Sequence, residues 1–189
     1  MTPQSPNFMT TTPATDPGGV TSLDKALQLA QAKLQVAKAG RTTSDSDIPV
    51  YAPGQYIFCT SAAANPVYHA EGWHEPEPEY TWIDGAEAVI RLLVRRPRKE
   101  YVLSLDVVPN GACASADSRP QLLEVFFNYF RLAALEVPEA MKVSIEIPAE
   151  LFILRVARLS LYCPHACVSS DPRLGNRRLG IAVKGWCLH

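Results

Sequence analysis

Residues 71–85 read EGWHEPEPEYTWIDG, and the rest of the chain is organised around this stretch. Pro76 and Pro78 fix the backbone dihedral φ and remove two backbone donors, which disfavours a regular helix or a central strand across 74–79. The stretch is therefore predicted to be an ordered loop that leads into a strand at Tyr80.

From residue 56 onward the remaining sequence has a period of two. Apolar residues alternate with other residues in the segments 87–94, 103–107, 142–147, 158–161 and 181–183. Strands with one apolar face and one solvent-exposed face are typical of antiparallel sheets. Turns rich in Gly and Pro separate these strands, and no helical βαβ rhythm is present. The pattern predicts an all-β fold, an antiparallel jelly-roll-like β-sandwich.

One strand candidate departs from this alternation. Residues 122–130 read LLEVFFNYF and are apolar on both faces, with Asn128 inside the run. The expectation is a strand that lies centrally in a sheet or beneath a loop.

The N-terminal part has a different composition. Residues 1–20 are rich in Thr, Pro, Ser and Gly with few large apolar side chains, and they are predicted to be a disordered tail. Residues 21–41 carry apolar side chains at helical spacing and predict one amphipathic helix, which either packs on the domain or docks a partner. Residues 42–55 have linker composition, which leaves 56–189 as the β-sandwich domain.

Charge and cysteine content restrict the function classes. The chain has 18 basic and 19 acidic residues, a balance that argues against general nucleic-acid binding. It has no apolar run long enough for a membrane span and no recognisable signal peptide. Five cysteines, an odd number, predict reduced thiols, no disulfide and a cytoplasmic location.

The 71–85 loop concentrates the groups that neutral sugars need. Flat aromatic faces contact sugar rings, and carboxylate or imidazole groups bond to hydroxyls. The candidate ligand-binding residues are Trp73, His74, Glu77, Tyr80, Trp82 and Asp84. The alternative is that both tryptophans fill the edge of the sandwich while the acids face water.

Catalytic and metal-binding alternatives also follow from this composition. Glycoside hydrolysis needs two acids opposed across a bond, whereas the acids of 74–84 are neighbours in one loop. A Cys163-x-His165-x-Cys167 pattern offers soft ligands, but Pro164 interrupts it and a fourth ligand is missing. The sequence therefore favours a non-enzyme with no metal and no cofactor.

A basic turn precedes the last strand, in the sequence DPRLGNRRLG from 171 to 180. Arg178 lies directly before that strand and is predicted to clamp the turn by bonding to backbone carbonyls or to Asp171. The other interpretation is that the arginines of this turn hold a phosphate or carboxylate.

Several short motifs occur together in one order. They are GW at 72–73, Trp82 before Gly85, Asn128, IPAEL at 147–151, and NRRLGIAV at 176–183. This order resembles a family of β-sandwich modules associated with bacterial glycosyltransferases and surface-polysaccharide gene clusters. That family has an acid shortly before its closing arginine, where this chain has Asn176. Arg178 and Gly180 match the motif.

The resemblance implies a non-catalytic, carbohydrate-related accessory module of bacterial polysaccharide assembly. Its expected partner is a glycan or a glycosyltransferase, and Asn128, Asp171, Arg178 and Gly180 are expected to be structural. Two alternatives stay open. One is a sugar-active enzyme using acids of 74–84, and the other is a structural protein that self-associates through its N-terminal helix.

Overall fold

The structure is a computed structural model that describes residues 48–63, 66–113, 120–168 and 176–189. The predicted disordered tail 1–20, the predicted helix 21–41 and Asp171 lie outside the described residues.

The described residues form two packed antiparallel sheets, which confirms the predicted jelly-roll-like β-sandwich. The strands are β1 Ile57–Phe58, β2 Thr81–Asp84, β3 Glu87–Leu92, β4 Glu100–Val108, β5 Gln121–Phe127, β6 Phe130–Val137, β7 Met141–Pro148, β8 Ala157–Tyr162, β9 Cys167–Val168 and β10 Arg178–Leu188. Short 3-10 helices occur at Pro66–Tyr68 and Ala149–Leu151. No helix in these ranges is long and apolar enough to cross a membrane.

Strand β10 organises the first sheet. The order is β1-β10-β4-β7, and the short strands β2 and β9 also pair with β10. The second sheet has the order β3-β8-β5-β6. Apolar residues at alternate positions of both sheets meet in one core, because successive side chains of a strand point to opposite faces.

The sandwich begins earlier than the sequence predicts, which corrects the predicted linker 42–55. Tyr51 is only 2% exposed and stacks on the fully buried Trp186, with ring centroids 5.0 Å apart. Its backbone N–H donates to the carbonyl of Leu93, and Gly54 donates to Leu188. These contacts make the described end of the predicted linker part of the core.

The apolar run 122–130 is a strand followed by a tight turn, and the prediction of one strand is wrong at its end. β5 lies between β8 and β6, so its central position agrees with the prediction. Asn128 and Tyr129 have positive φ angles of 48° and 75°, as in the two-residue turns that join hairpin strands. Asn128 therefore lies in a turn and not inside a strand.

A disulfide joins Cys113 to Cys167, which contradicts the prediction of reduced thiols throughout. The link connects the segment after β4 to β9, and these meet because β4 and β9 both pair with β10. Cys59, Cys163 and Cys187 are buried free thiols.

Candidate glycan-binding loop

The 71–85 stretch is an antiparallel hairpin whose returning arm is β2. Trp73 pairs with Ile83, and the His74 N–H donates to the Trp82 carbonyl. Nearer the tip, the N–H of Glu77 donates to the carbonyl of Tyr80. Backbone bonds therefore order the loop, and its strand begins at Thr81, one residue later than the sequence predicts.

Gly72 fixes the base of this hairpin against β3. Its φ is +73°, and a Cβ at this position would lie 1.8 Å from the carbonyl oxygen of Glu87. Because only a residue without Cβ allows this approach, glycine is required here on two counts. The hairpin base is thereby placed directly on the edge strand of the second sheet.

Five of the six predicted ligand-binding residues lie on one face of the hairpin. Alternate residues of the returning arm share a face, and His74 joins them because it is opposite Trp82. This hairpin outer face consists of His74, Glu77, Tyr80, Trp82 and Asp84. Trp73 instead lies opposite Ile83 and packs against the main core.

Trp82 forms the floor of the hairpin outer face. It is 8% exposed and packs with Leu179 and Ala182 of β10 in a small cluster separate from the main core. Its indole Nε1–H donates to Glu77 Oε1 over 3.0 Å. The Tyr80 ring meets it edge to face with centroids 5.1 Å apart. The Trp82 indole therefore supports the Tyr80 ring from below, and the Glu77 carboxylate holds the Trp82 indole in place.

The rim of the hairpin outer face is polar. Tyr80 and His74 are half-buried, and the Asp84 side chain is 37% exposed. Arg177 Nη1 lies 3.4 Å from Asp84 Oδ2. The hairpin outer face thus carries an aromatic ring, an imidazole and a carboxylate that is paired with a guanidinium, which together present both donors and acceptors.

Trp73 has a structural environment of its own. Its ring stacks on His69 with centroids 4.0 Å apart, and its Nε1–H donates to the carbonyl of Val89. His69 Nε2 lies 3.5 Å from Cys59 Sγ. Burial lowers the pKa of His69 to about 4 and raises the pKa of Cys59 to about 12. Both groups are therefore neutral near pH 7, unlike the thiolate of a reactive cysteine.

The residues expected to be structural have identifiable contacts. The Asn128 side chain donates to the carbonyl of Leu151 and accepts from the N–H of Arg158, which fastens the hairpin turn to β8. Arg178 donates from Nε and Nη2 to the carbonyl of Ala166, at 3.3 and 2.9 Å. These bonds join the start of β10 to the segment before β9.

Gly180 packs closely against the next layer of the sandwich. A Cβ there would lie 3.0 Å from the Cβ of Cys163. A larger residue would therefore displace that buried side chain.

The alternative sites do not assemble among the residues that the structure describes. No group of three or more His, Cys, Asp or Glu side chains converges there. In the Cys163-x-His165-x-Cys167 pattern, Cys167 is bonded to Cys113, Cys163 is buried and His165 is exposed. In the loop, Glu75 and Glu79 are exposed, whereas a general acid needs a carboxyl group shielded from water.

Sequence reasoning missed Arg158 and Tyr129, which meet on the outer face of the second sheet. Asn128-Tyr129 lacks the glycine that usually marks a two-residue hairpin turn, so the turn went unrecognised. The alternation of β8 does predict that Arg158 points away from the core. It does not predict which side chains Arg158 contacts, because these come from distant segments of the chain.

No protein-family model matches the sequence. No curated protein matches it. Among solved structures 26 chains are similar. One is a family 35 carbohydrate-binding module from an environmental isolate, with 13% identity over 72% of this chain and 88% of that chain and a TM-score of 0.39.

Two other similar structures are enzymes. An exo-β-1,3-galactanase from Phanerochaete chrysosporium is 8% identical over 73% of this chain and 30% of that chain, with a TM-score of 0.41. A family two carbohydrate esterase from Clostridium thermocellum is 11% identical over 64% of this chain and 32% of that chain, with a TM-score of 0.36. At these low scores the fold assignment rests on the strand pairing above, and the neighbours' activities are not transferred to this chain.

Proposed function

We propose that this protein is a non-catalytic module that binds a glycan through the outer face of its 71–85 hairpin. The observation that carries the proposal is the Tyr80 ring, which stands half-buried on the fixed indole of Trp82. An aromatic ring already held in place loses little conformational entropy on binding, so it suits the weak contacts that sugar rings offer.

The polar rim supplies the second requirement of sugar recognition. The Asp84 carboxylate accepts hydrogen bonds and the Arg177 guanidinium donates them, while His74 Nδ1 donates to the Glu75 carbonyl and leaves Nε2 to bond to a ligand. The hairpin is anchored at Gly72 and bonded along both arms, so these groups lie on a rigid scaffold. Binding surfaces are commonly built on loops that a rigid scaffold positions.

The hairpin supports binding better than cleavage. Glu77 has one carboxylate oxygen bonded to the Trp82 indole, and Glu75 and Glu79 face water. A hydrolase needs one carboxyl group held neutral as an acid and a second one opposite it. This arrangement gives Glu77 a positioning role and leaves the enzyme as the weaker interpretation.

The finer role comes from the sequence resemblance. We propose that the module serves polysaccharide assembly, next to a glycosyltransferase that acts on the same glycan. The predicted cytoplasmic location rested on reduced thiols and on the lack of a recognisable signal peptide, and the Cys113–Cys167 disulfide removes the first of these two reasons. Because such bonds persist in oxidising surroundings, we propose an oxidising compartment or the cell exterior instead.

A screen of immobilised neutral glycans tests the proposal. Wild-type chain should be retained by at least one glycan, and Tyr80→Ala should weaken that retention at least tenfold while the variant still unfolds in one cooperative transition. Phe58→Ala is the matched control, since Phe58 is an aromatic residue that is 55% exposed and is not part of the hairpin outer face. Absence of retention by any glycan, or unchanged retention of Tyr80→Ala, would contradict the proposal.

A further inference from the structure

The outer face of the second sheet carries a mixed set of aromatic and charged side chains. Strand register places Tyr162 of β8 between Glu87 of β3 and Glu124 of β5. One row further along, Ser160 lies between Val89 and Phe126. The core-facing positions of these strands are the alternate ones, so these side chains point away from the core.

Arg158 lies in the third row of this face and connects several elements. Its Nη2 lies 3.0 Å from Glu87 Oε1, its Nη1 lies 3.8 Å from Glu71 Oε2, and its Nε donates to Ser160 Oγ. Its guanidinium carbon lies 5.5 Å from the centre of the Tyr129 ring. The side chain is 21% exposed, so part of this arrangement is open to solvent.

Tyr129 has an unfavourable backbone conformation. Its φ is 75°, and among the described residues it shares a positive φ only with Asn128 and glycines. Asn tolerates this region, but a bulky aromatic residue is strained in it, and glycine is the usual occupant of such a turn. The strain is retained at a position where the side chain adds a ring beside Arg158. Strained residues of this kind cluster at binding sites.

The charges of this face indicate the class of ligand. Strand register puts Glu136 on this face as well as Glu71, Glu87 and Glu124, against Arg91, Arg131 and Arg158, so the formal net charge of the face is negative. Arg131 also approaches Glu124 at 3.5 Å. A polyanion such as nucleic acid or an acidic polysaccharide gains nothing from such a surface. The rings stand among ion pairs instead of forming one apolar patch, which suits a ligand that alternates apolar ring faces with hydroxyls.

We propose that this face, centred on Tyr129, Arg158 and Tyr162, is a second glycan-binding surface that takes a neutral sugar chain. Tyr129 and Tyr162 contact the apolar faces of sugar rings, and the Arg158–Glu87 pair bonds to hydroxyls. The ligand class rests on the proposed function, whereas the site itself rests on the geometry of this face. The binding is expected to be insensitive to salt, because a neutral sugar chain brings no charge to this surface.

Titration calorimetry of the full chain tests this surface, with soluble neutral oligosaccharides of glucose, galactose, mannose and xylose as probes. We expect wild-type chain to bind two oligosaccharides and Tyr129→Gly to bind one. The Tyr129→Gly variant should unfold at the same or a higher midpoint, since glycine removes the strain. Tyr162→Ala should lose the same site, and Phe58→Ala should keep both.

The outcomes separate the two surfaces. One bound oligosaccharide, lost in Tyr80→Ala and kept in Tyr129→Gly, would overturn the second surface and leave the proposed function standing. One bound oligosaccharide with the reverse pattern would support the second surface and refute the hairpin. A lower unfolding midpoint in Tyr129→Gly would show that the ring serves stability and would overturn the proposal.

Discussion

Removal of the Cys113–Cys167 disulfide should destabilise the sandwich strongly. The bond joins residues 54 positions apart, so its loss releases a long loop in the unfolded chain. In the chain-entropy model a loop of this length contributes about 4 kcal/mol at 25 °C. For a chain of this size, each kcal/mol corresponds to roughly 2–4 °C in the unfolding midpoint. The expected loss is therefore on the order of 8–16 °C.

Thermal unfolding with and without reductant measures this effect. Wild-type chain should lose stability in reductant, and the double variant Cys113→Ala with Cys167→Ala should unfold at the reduced wild-type midpoint in either condition. Cys187→Ala is the control, because it removes a buried free thiol and should leave the response to reductant unchanged. Coincident wild-type curves in the two conditions would refute the reasoning, including the proposed compartment.

Two further predictions concern the base and the core side of the hairpin. In urea unfolding, Gly72→Ala should lower the free energy of unfolding by at least about 2 kcal/mol more than Gly85→Ala does. Both residues have a positive φ, but only a Cβ at position 72 would meet the Glu87 carbonyl. Equal losses in the two variants would contradict this prediction. Burial lowers the pKa of His69 from 6.5 to about 4, so the unfolded chain binds the extra proton first as the pH falls. The free energy of unfolding should therefore fall between pH 6.5 and 4 by up to about 1.4 kcal/mol per pH unit. His69→Phe keeps a ring stacked on Trp73 but cannot take up a proton, so it should flatten this decline. Identical slopes for the two proteins would refute the assignment.

The sandwich itself could be predicted because burial of one sheet face leaves a visible period of two. Val143, Ile145 and Ile147 are core residues that alternate with exposed neighbours in β7, as the sequence indicates. The end of β5 was missed for a physical reason. Asn128 tolerates a positive φ, but Tyr129 does not signal a turn, so the aromatic run reads as one continuous strand.

Long-range pairing could not be predicted from local pattern. Cys113 and Cys167 meet only because β4 and β9 flank the same strand, and an odd cysteine count does not reveal which two of five pair. The same holds for the tryptophans of the loop. The sequence singles out both as large ring surfaces, but Trp73 and Trp82 face opposite sides of the hairpin, and this depends on the hairpin register.

Glu77 offers a direct separation of binding from catalysis. Its carboxylate accepts the Trp82 Nε1–H bond, and the amide oxygen of Gln can accept the same bond. Glu77→Gln should therefore keep the unfolding midpoint of the wild type. Its glycan affinity should fall, because the neutral amide holds the indole less firmly than a charged acceptor does.

The most direct test of the central claim is chromatography of the glycan after prolonged incubation with the chain that binds it. We expect wild-type chain to retain the glycan and to release it at its full length, with no shorter product at any time. Shorter fragments that form with wild-type chain and disappear with Glu77→Gln would contradict the account and establish a sugar-cleaving enzyme.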